Sequence, residues 1–405
     1  MNHQIPELLA PAGNLEKLRV AIHYGADAVY LGGKQYSLRA NAGNFEQQEM
    51  AEAVAFAHAR QVKVYVTVNI FAHQPDLAGL PDYLCQLREL GVDGLIVADP
   101  GVLRLARAIT PELPIHLSTQ ANVTNSEAAC FWAEQGVRRL NLARELSLAE
   151  IAAIRRATGA ELEIFVHGAL CISYSGRCLL SLYLTGRDAN QGDCAHPCRY
   201  RYRLEEEKRP GQYFPVAEDE RGTYIFNAQD LCLLARLPDL LRAGADALKI
   251  EGRMKSVFYV GVTVRLYRAA LDYWQEHGLQ ASLPPEFFAE LAKIGSRGQS
   301  LNFLDRPPSR DDMLYQGATV ASAQAPAAIV REGGEQPLVE ARNPIRVGEQ
   351  LECLAPGLLN PLIRVSAIHD QQGGLLERAN PGALARLTLE PAITCQTHAL
   401  FRRKI

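Results

Sequence analysis

The sequence predicts an α/β fold: a (β/α)8 barrel-like domain with a long cysteine-bearing insertion, followed by a small C-terminal all-β barrel or sandwich. Three observations predict it. Eight short apolar runs alternate with amphipathic stretches; one connection, about residues 169–246, is far longer than an ordinary strand-to-helix loop; and from about residue 315 helical periodicity gives way to short β-type runs. A length of 405 residues, against ~150 per domain, accommodates two or three such bodies.

The expected strands are ELLAP (7–11), ADAVYLG (26–32), KVYVTVN (63–69), GLIVADP (94–100), PIHLSTQ (114–120), RRLNLAR (138–144), LEIFVHG (162–168) and ALKIEGR (247–253). Between them, stretches such as LEKLRVAIHYG and LAEIAAIRRATG carry helical periodicity, several ending at a glycine suited to the left-handed C′ position. Parallel crossover units are the reading, and eight of them close a barrel. An open doubly wound sheet is the runner-up, but no GxGxxG phosphate loop follows the first strand. The catalytic domain is therefore expected over 1–277, ending in a long helix near 256–277, with 278–314 as a polar, proline-bearing connection and 315–405 as the β domain, in which QGATVASA, AAIVREGG, QPLVEARN and LIRVSAIHD read as strands.

Composition excludes more than it assigns. Apolar residues at 48% and charged residues at 21% are ordinary for a globular protein, and a net charge of −3 (42 basic against 45 acidic) means that a nucleic-acid partner must meet a local basic patch. The amino terminus lacks a basic region followed by an apolar one, and no run approaches the ~18 apolar residues of a membrane span, so a cytoplasmic protein without a membrane partner is expected. HExxH, GxSxG and GxxxxGK[ST] motifs are absent, which lowers the metalloprotease, serine hydrolase and P-loop readings.

In a barrel of this kind the carboxyl ends of the strands converge on one face. There the sequence places Asn69, Asp99, Gln120, Arg144 with Glu145, His167, and Glu251 with Arg253. His167, Glu251, Arg253 and Arg144 are the candidate catalytic groups, His167 because it ends an apolar strand beside the first clustered cysteine and can exchange protons near neutral pH. Asn69, His116 and Gln120 are candidate substrate-binding groups. Period two would put His116, Ser118 and Gln120 on one face of the fifth strand, although a lone strand histidine is more often a satisfied core residue. Two arginines with bidentate forks suit a small anionic cosubstrate such as a dicarboxylate.

Four of the nine cysteines, Cys171, Cys178, Cys194 and Cys198, fall within 28 residues. Four thiolates can complete a tetrahedral zinc site or hold an iron–sulfur cluster, and spacing alone does not choose between them. The six-residue gap between the first two is wide for a zinc-finger pair. The other five cysteines read as ordinary thiols, with Cys232 an additional candidate ligand. Arg199, Arg201 and Arg203 alternate with Tyr200 and Tyr202 directly after the cluster. That run is either a platform of phosphate contacts and stacking rings or a strand with solvated arginines, and Glu205 to Glu207 follow it.

EIFVHGALCISYSGRCLLS (163–181) resembles the signature of peptidase family U32, as do TGRDANQGDCAHPC, FNAQDL and KIEGRMKS, and the similarity covers most of residues 6–275. The resemblance implies a barrel-like catalytic domain and a [4Fe–4S] cluster on Cys171, Cys178, Cys194 and Cys198. It also implies, in the hydroxylating branches, dependence on prephenate as cosubstrate. The most similar branch acts on tRNA, hydroxylating the wobble uridine at C5; related branches act on ribosomal RNA or ubiquinone precursors, and the family name preserves a collagenase-like protease assignment. Two departures stand out: the chain is short between Glu207 and Pro215, and Asn302 stands where a glycine is expected.

Overall fold

The computed structural model describes residues 5–37, 43–171, 173–199, 204–205, 213–214, 217–219, 222–224, 229–296, 298–307 and 324–404. Eight parallel strands close a barrel: β1 (Glu7–Pro11), β2 (Ala28–Leu31), β3 (Lys63–Val68), β4 (Gly94–Val97), β5 (Ile115–Leu117), β6 (Arg139–Asn141), β7 (Glu161–Gly168) and β8 (Ala247–Ile250). Each pairs in parallel with its predecessor up to β7, and β8 closes the ring by pairing with both β7 and β1. Leu9, Ala28, Tyr30, Tyr65 and Ile96 form one buried cluster on these strands.

The connecting helices start where their sequences supply caps. In α4 (Pro100–Ile109), Asp99 accepts hydrogen bonds from the Gly101 and Val102 amides at 2.7 and 3.0 Å, and proline occupies the first turn, where its missing N–H costs nothing. The strand-end Asp99 therefore serves as a cap. In α6 (Leu148–Ala157), Ser147 and Glu150 form a reciprocal capping box.

The long β7-to-β8 connection carries the cysteines, then a short strand (Asp230–Cys232) antiparallel to the end of β7, and α8 (Leu237–Arg242). Gln299–Ser300 pairs in parallel with Asp230–Leu231 and extends the sheet. One expected strand is shorter than the sequence suggests: β5 stops at Leu117 and Thr119–Ala121 forms a 3-10 turn ended by Asn122 at φ +54°. Gln120 consequently lies on a turn, off the alternating face that would have aligned it with His116.

The chain divides into two compact units: Met1–Leu18, Asp27–Met254 and Ser296–Val320 in one, and Arg19–Ala26, Lys255–Gly295 and Ala321–Ile405 in the other. The second contains the long helix α9 (Val257–His277), capped by Ser256, and α10 (Pro285–Leu291) within the stretch read from sequence as connection. It also contains a closed six-stranded antiparallel barrel built from Gln324–Glu332, Leu338–Ala341, Gln350–Leu354, Leu362–His369, Leu384–Glu390 and Leu400–Lys404. Val330, Val339, Leu351, Val365, Leu387 and Phe401 are among its fully buried core residues. The expected strand QGATVASA lies outside the described residues. Among the described residues no helix is long and apolar enough to cross a membrane.

Candidate active site

At the carboxyl ends of β3 and β5 the backbone brings together a set of amides. Asn69 Nδ2 donates to Gln120 Oε1 at 2.6 Å, and Ser118 Oγ donates to the same oxygen at 3.0 Å. Asn122 Nδ2 donates to the Gln120 carbonyl at 2.7 Å and to the Ser175 carbonyl at 3.2 Å, which ties the cysteine-bearing segment to this end of the barrel. Gln191 Nε2 adds a second tie by donating to the Phe71 carbonyl at 2.7 Å. Gly176, at φ +72°, lies so close that a Cβ there would approach the Phe71 ring to 2.7 Å, so a side chain would lift the segment away.

Arg253, following β8, is 3% exposed and spends its fork on the protein. Nη1 donates to Ser37 Oγ at 2.9 Å and Thr67 Oγ1 at 3.1 Å, and Nη2 donates to Asn44 Oδ1. These bonds fasten the chain after β2 to the barrel mouth. Gly32 makes room for them, since a Cβ there would stand 2.4 Å from Ser37 Oγ and 2.6 Å from Arg253 Nη2.

The remaining strand-end candidates gather around Gly168 and Ala169. The buried His167 accepts the Glu251 amide on its carbonyl at 2.8 Å, and Glu251 packs on Gly168. Arg144 Nη1 donates to the Ala169 carbonyl at 3.2 Å, and its guanidinium lies 5.6 Å from the centre of the Phe165 ring. Asn302 takes φ +51° and donates to the Arg144 carbonyl at 2.9 Å. A left-handed backbone explains why glycine suits that position and why asparagine replaces it.

His116 lies deeper, 3% exposed, with its ring edge-on to Tyr65 at 4.4 Å. Burial, reinforced by the positive charges of Arg139 and Lys249, holds its pKa well below the usual histidine range, so it is a neutral interior group. The Arg199 side chain, Arg201 and Arg203 lie outside the described residues.

Around His116 the barrel holds charged residues that strand-end reasoning missed. Arg139 Nη1 pairs with Glu7 Oε1 at 2.6 Å, and Lys249 Nζ donates to Glu163 Oε1 at 2.8 Å. Burial pushes the Glu7 carboxyl up, but Arg139, Lys63 and the Tyr65 hydroxyl together outweigh it and hold Glu7 below the usual range. The available signal was a single charge embedded in an otherwise apolar run, as in LEIFV and ALKI.

Cys171 is exposed, while Cys178, Cys194 and Cys198 are half-buried, and none of the four is in a disulfide among the described residues. The donor set suits a four-thiolate group in kind, and the His196 amide donates to Cys194 Sγ at 3.3 Å, a bond that favours a thiolate. Among the described residues, however, no three histidine, cysteine or acidic side chains converge as a metal-binding set. Cys232 is buried on its short strand, opposite His167.

The family model for peptidase family U32 matches residues 13–314. The chain is 38% identical to tRNA hydroxylation protein P1 of Bacillus subtilis, with 96% of this chain and 93% of that protein covered. It is also 38% identical to tRNA hydroxylation protein P of Escherichia coli, over 87% and 86% of the two chains. A third relative, the 23S rRNA 5-hydroxycytidine synthase of E. coli, is 41% identical over 77% of this chain and 44% of its own length. With the signature segments in β7, in the cysteine-bearing connection and after β8 all falling inside the matched range, the chain belongs to peptidase family U32.

Proposed function

We propose that this chain is an RNA hydroxylase whose substrate is tRNA and whose product carries a hydroxyl at C5 of the wobble uridine. The observation that carries the proposal is similarity along nearly the whole length to a tRNA hydroxylation protein, at 38% identity. The barrel mouth supports it with a cluster of buried and half-buried amides suited to a polar planar ligand, and the cysteine-bearing segment presents exposed Tyr174 and Tyr183, the latter 80% exposed, as stacking faces for unpaired bases.

Replacing C5–H by C5–OH removes two electrons from the base and inserts one oxygen, so a co-reactant must take part. Prephenate, a small dicarboxylate, is the proposed cosubstrate. Cys171, Cys178, Cys194 and Cys198 are proposed to hold a [4Fe–4S] cluster, which would supply redox or Lewis-acid chemistry at the mouth, and gathering the four sulfurs requires their segment to close. The protein's own contribution is to position the base on the strand-end amides and to shield it beneath the Ser175–Gly176 turn. The decisive experiment is mass spectrometry of tRNA nucleosides from a deletion strain: loss of 5-hydroxyuridine derivatives, restored by the gene, is expected. Unchanged derivatives, together with casein or gelatin cleavage by the purified protein, would replace this reading with a peptidase.

A further inference from the structure

Two amide groups at the barrel mouth are each fixed in orientation and each left with one unmatched atom. Gln120 Oε1 accepts from Asn69 Nδ2 and Ser118 Oγ, so a flip of the Gln120 amide would set its Nε2 against Asn69 Nδ2, donor against donor; the atom left over is Nε2. That nitrogen is buried without a hydrogen-bond partner among the described residues, in a side chain whose residue is 4% exposed. Asn122 is fixed in the opposite sense. Its Nδ2 donates to two carbonyls, and Oδ1 is left buried and unmatched among the described residues. Unmatched buried amides cost free energy, and a fold that keeps a donor and an acceptor two residues apart under one loop invites a ligand that answers both.

We infer that Gln120 and Asn122 read the imide edge of the target uracil and set the preference for uridine over cytidine. The inference rests on the reading of this chain as a tRNA uridine hydroxylase and deepens it. Uracil presents O4, an acceptor, beside N3–H, a donor; Gln120 Nε2 answers the first and Asn122 Oδ1 the second. Cytosine presents an N4 amine and a bare N3, the reverse pattern, so it meets donor with acceptor mismatched at both positions. Asn69 is a positioning residue, because its Nδ2 can only donate and so holds Oε1, and not Nε2, of the Gln120 amide toward itself. The base enters when the Ser175–Gly176 turn lifts, and that movement also exposes the Phe71 ring, which Gly176 now covers, as a stacking face.

The test uses full-length protein purified without oxygen, supplied with prephenate, and anticodon stem-loops carrying uridine or cytidine at the wobble position, with 5-hydroxylation of each read by mass spectrometry. Wild type is expected to prefer uridine. Gln120→Glu keeps both bonds that Oε1 accepts but replaces the donor by an acceptor; it should lower kcat/KM for the uridine loop about tenfold to a hundredfold and raise the relative rate on cytidine. Asn122→Gly keeps the left-handed backbone and removes the acceptor together with the Nδ2 tie to Ser175; it should weaken uridine selectivity by a similar factor with Gln120 intact, whereas loss of the tie alone would lower the rates on both loops without changing their ratio. If folded variants, judged by thermal melting, keep the wild-type uridine-to-cytidine ratio, the two amides serve internal structure or bound water and the inference is overturned. Wild type that hydroxylates neither loop overturns the underlying tRNA reading, and the role of the pair with it, which is a different result from an unchanged ratio.

Discussion

Lys249 Nζ donates to Glu163 Oε1 at 2.8 Å inside the barrel, where the two side chains are 4% and 1% exposed. Barrel interiors are usually filled by branched apolar side chains, so a buried ion pair on adjacent strands is an exception that must compensate its own desolvation. Burial lowers the pKa of Lys249 and Glu163 opposes that shift; Nζ also lies 4.4 Å from the centre of the Tyr30 ring. Lys249→Met should therefore destabilise the protein, though by less than the about 3–5 kcal/mol of a buried charge left wholly uncompensated, because Arg139 at 3.6 Å still faces Glu163. The double variant Lys249→Met with Glu163→Leu should recover most of that loss in urea unfolding. Equal costs for the single and double variants would mean that packing, and not the pairing, is being measured.

Arg253 yields a prediction that the strand-end pattern alone would have framed differently. Its Nη1 and Nη2 are held by Ser37, Thr67 and Asn44, so Arg253→Lys keeps the charge but loses the planar fork that joins three partners. The expected result is a loss of about 1–3 kcal/mol of stability and faster proteolysis of the segment following β2, with activity falling in step. Lost activity with an unchanged melting temperature would instead place the guanidinium against a ligand.

The cysteines make a third prediction, and a direct one. Protein purified without oxygen should contain iron and acid-labile sulfide and absorb in the visible, and serine at Cys171, Cys178, Cys194 or Cys198 should remove the colour. One equivalent of zinc with no iron would give a colourless protein and end the cluster assignment. Cys232→Ser should leave the iron content unchanged, because this thiol is buried on a strand opposite His167.

The eight barrel strands were legible because each is a short apolar run, six of them ended by a polar residue, and the pairing order follows from parallel crossovers. Asn69 and Gln120 were legible as strand-end amides. Their direct contact was not, since it depends on β5 stopping at Leu117 and turning through Thr119–Ala121, a boundary that alternation cannot fix. The Glu7, Arg139, Glu163 and Lys249 network was missed for a different reason. The charges are spread over four strands and acquire meaning only when the ring closes and β8 meets β7 and β1. The partners of Arg253 were equally out of reach, because Asn44 and Ser37 precede it by 209 and 216 residues.

His23, in α1 (Leu15–His23), gives a pH-dependent prediction whose direction follows from its surroundings. Burial, with His398 at 6.5 Å as a second cause, pushes its pKa down to about 4, and its Nε2 is buried without a hydrogen-bond partner among the described residues. In the unfolded chain a histidine titrates near ~6.5. Between those two values the unfolded chain carries a proton that the folded chain refuses, so acidification favours unfolding; above the unfolded value both states are neutral and stability is flat. Stability should thus fall by about 2 kcal/mol between pH ~7.5 and pH ~5 on account of this residue. His116, depressed by burial among Arg139 and Lys249, adds to the slope with the same sign. Urea unfolding at the two pH values should show the decline in wild type and a smaller one in His23→Gln, which has no titrating group to bury. Identical declines in the two proteins would mean that the half-buried His23 takes up its proton in the folded state as readily as in the unfolded chain.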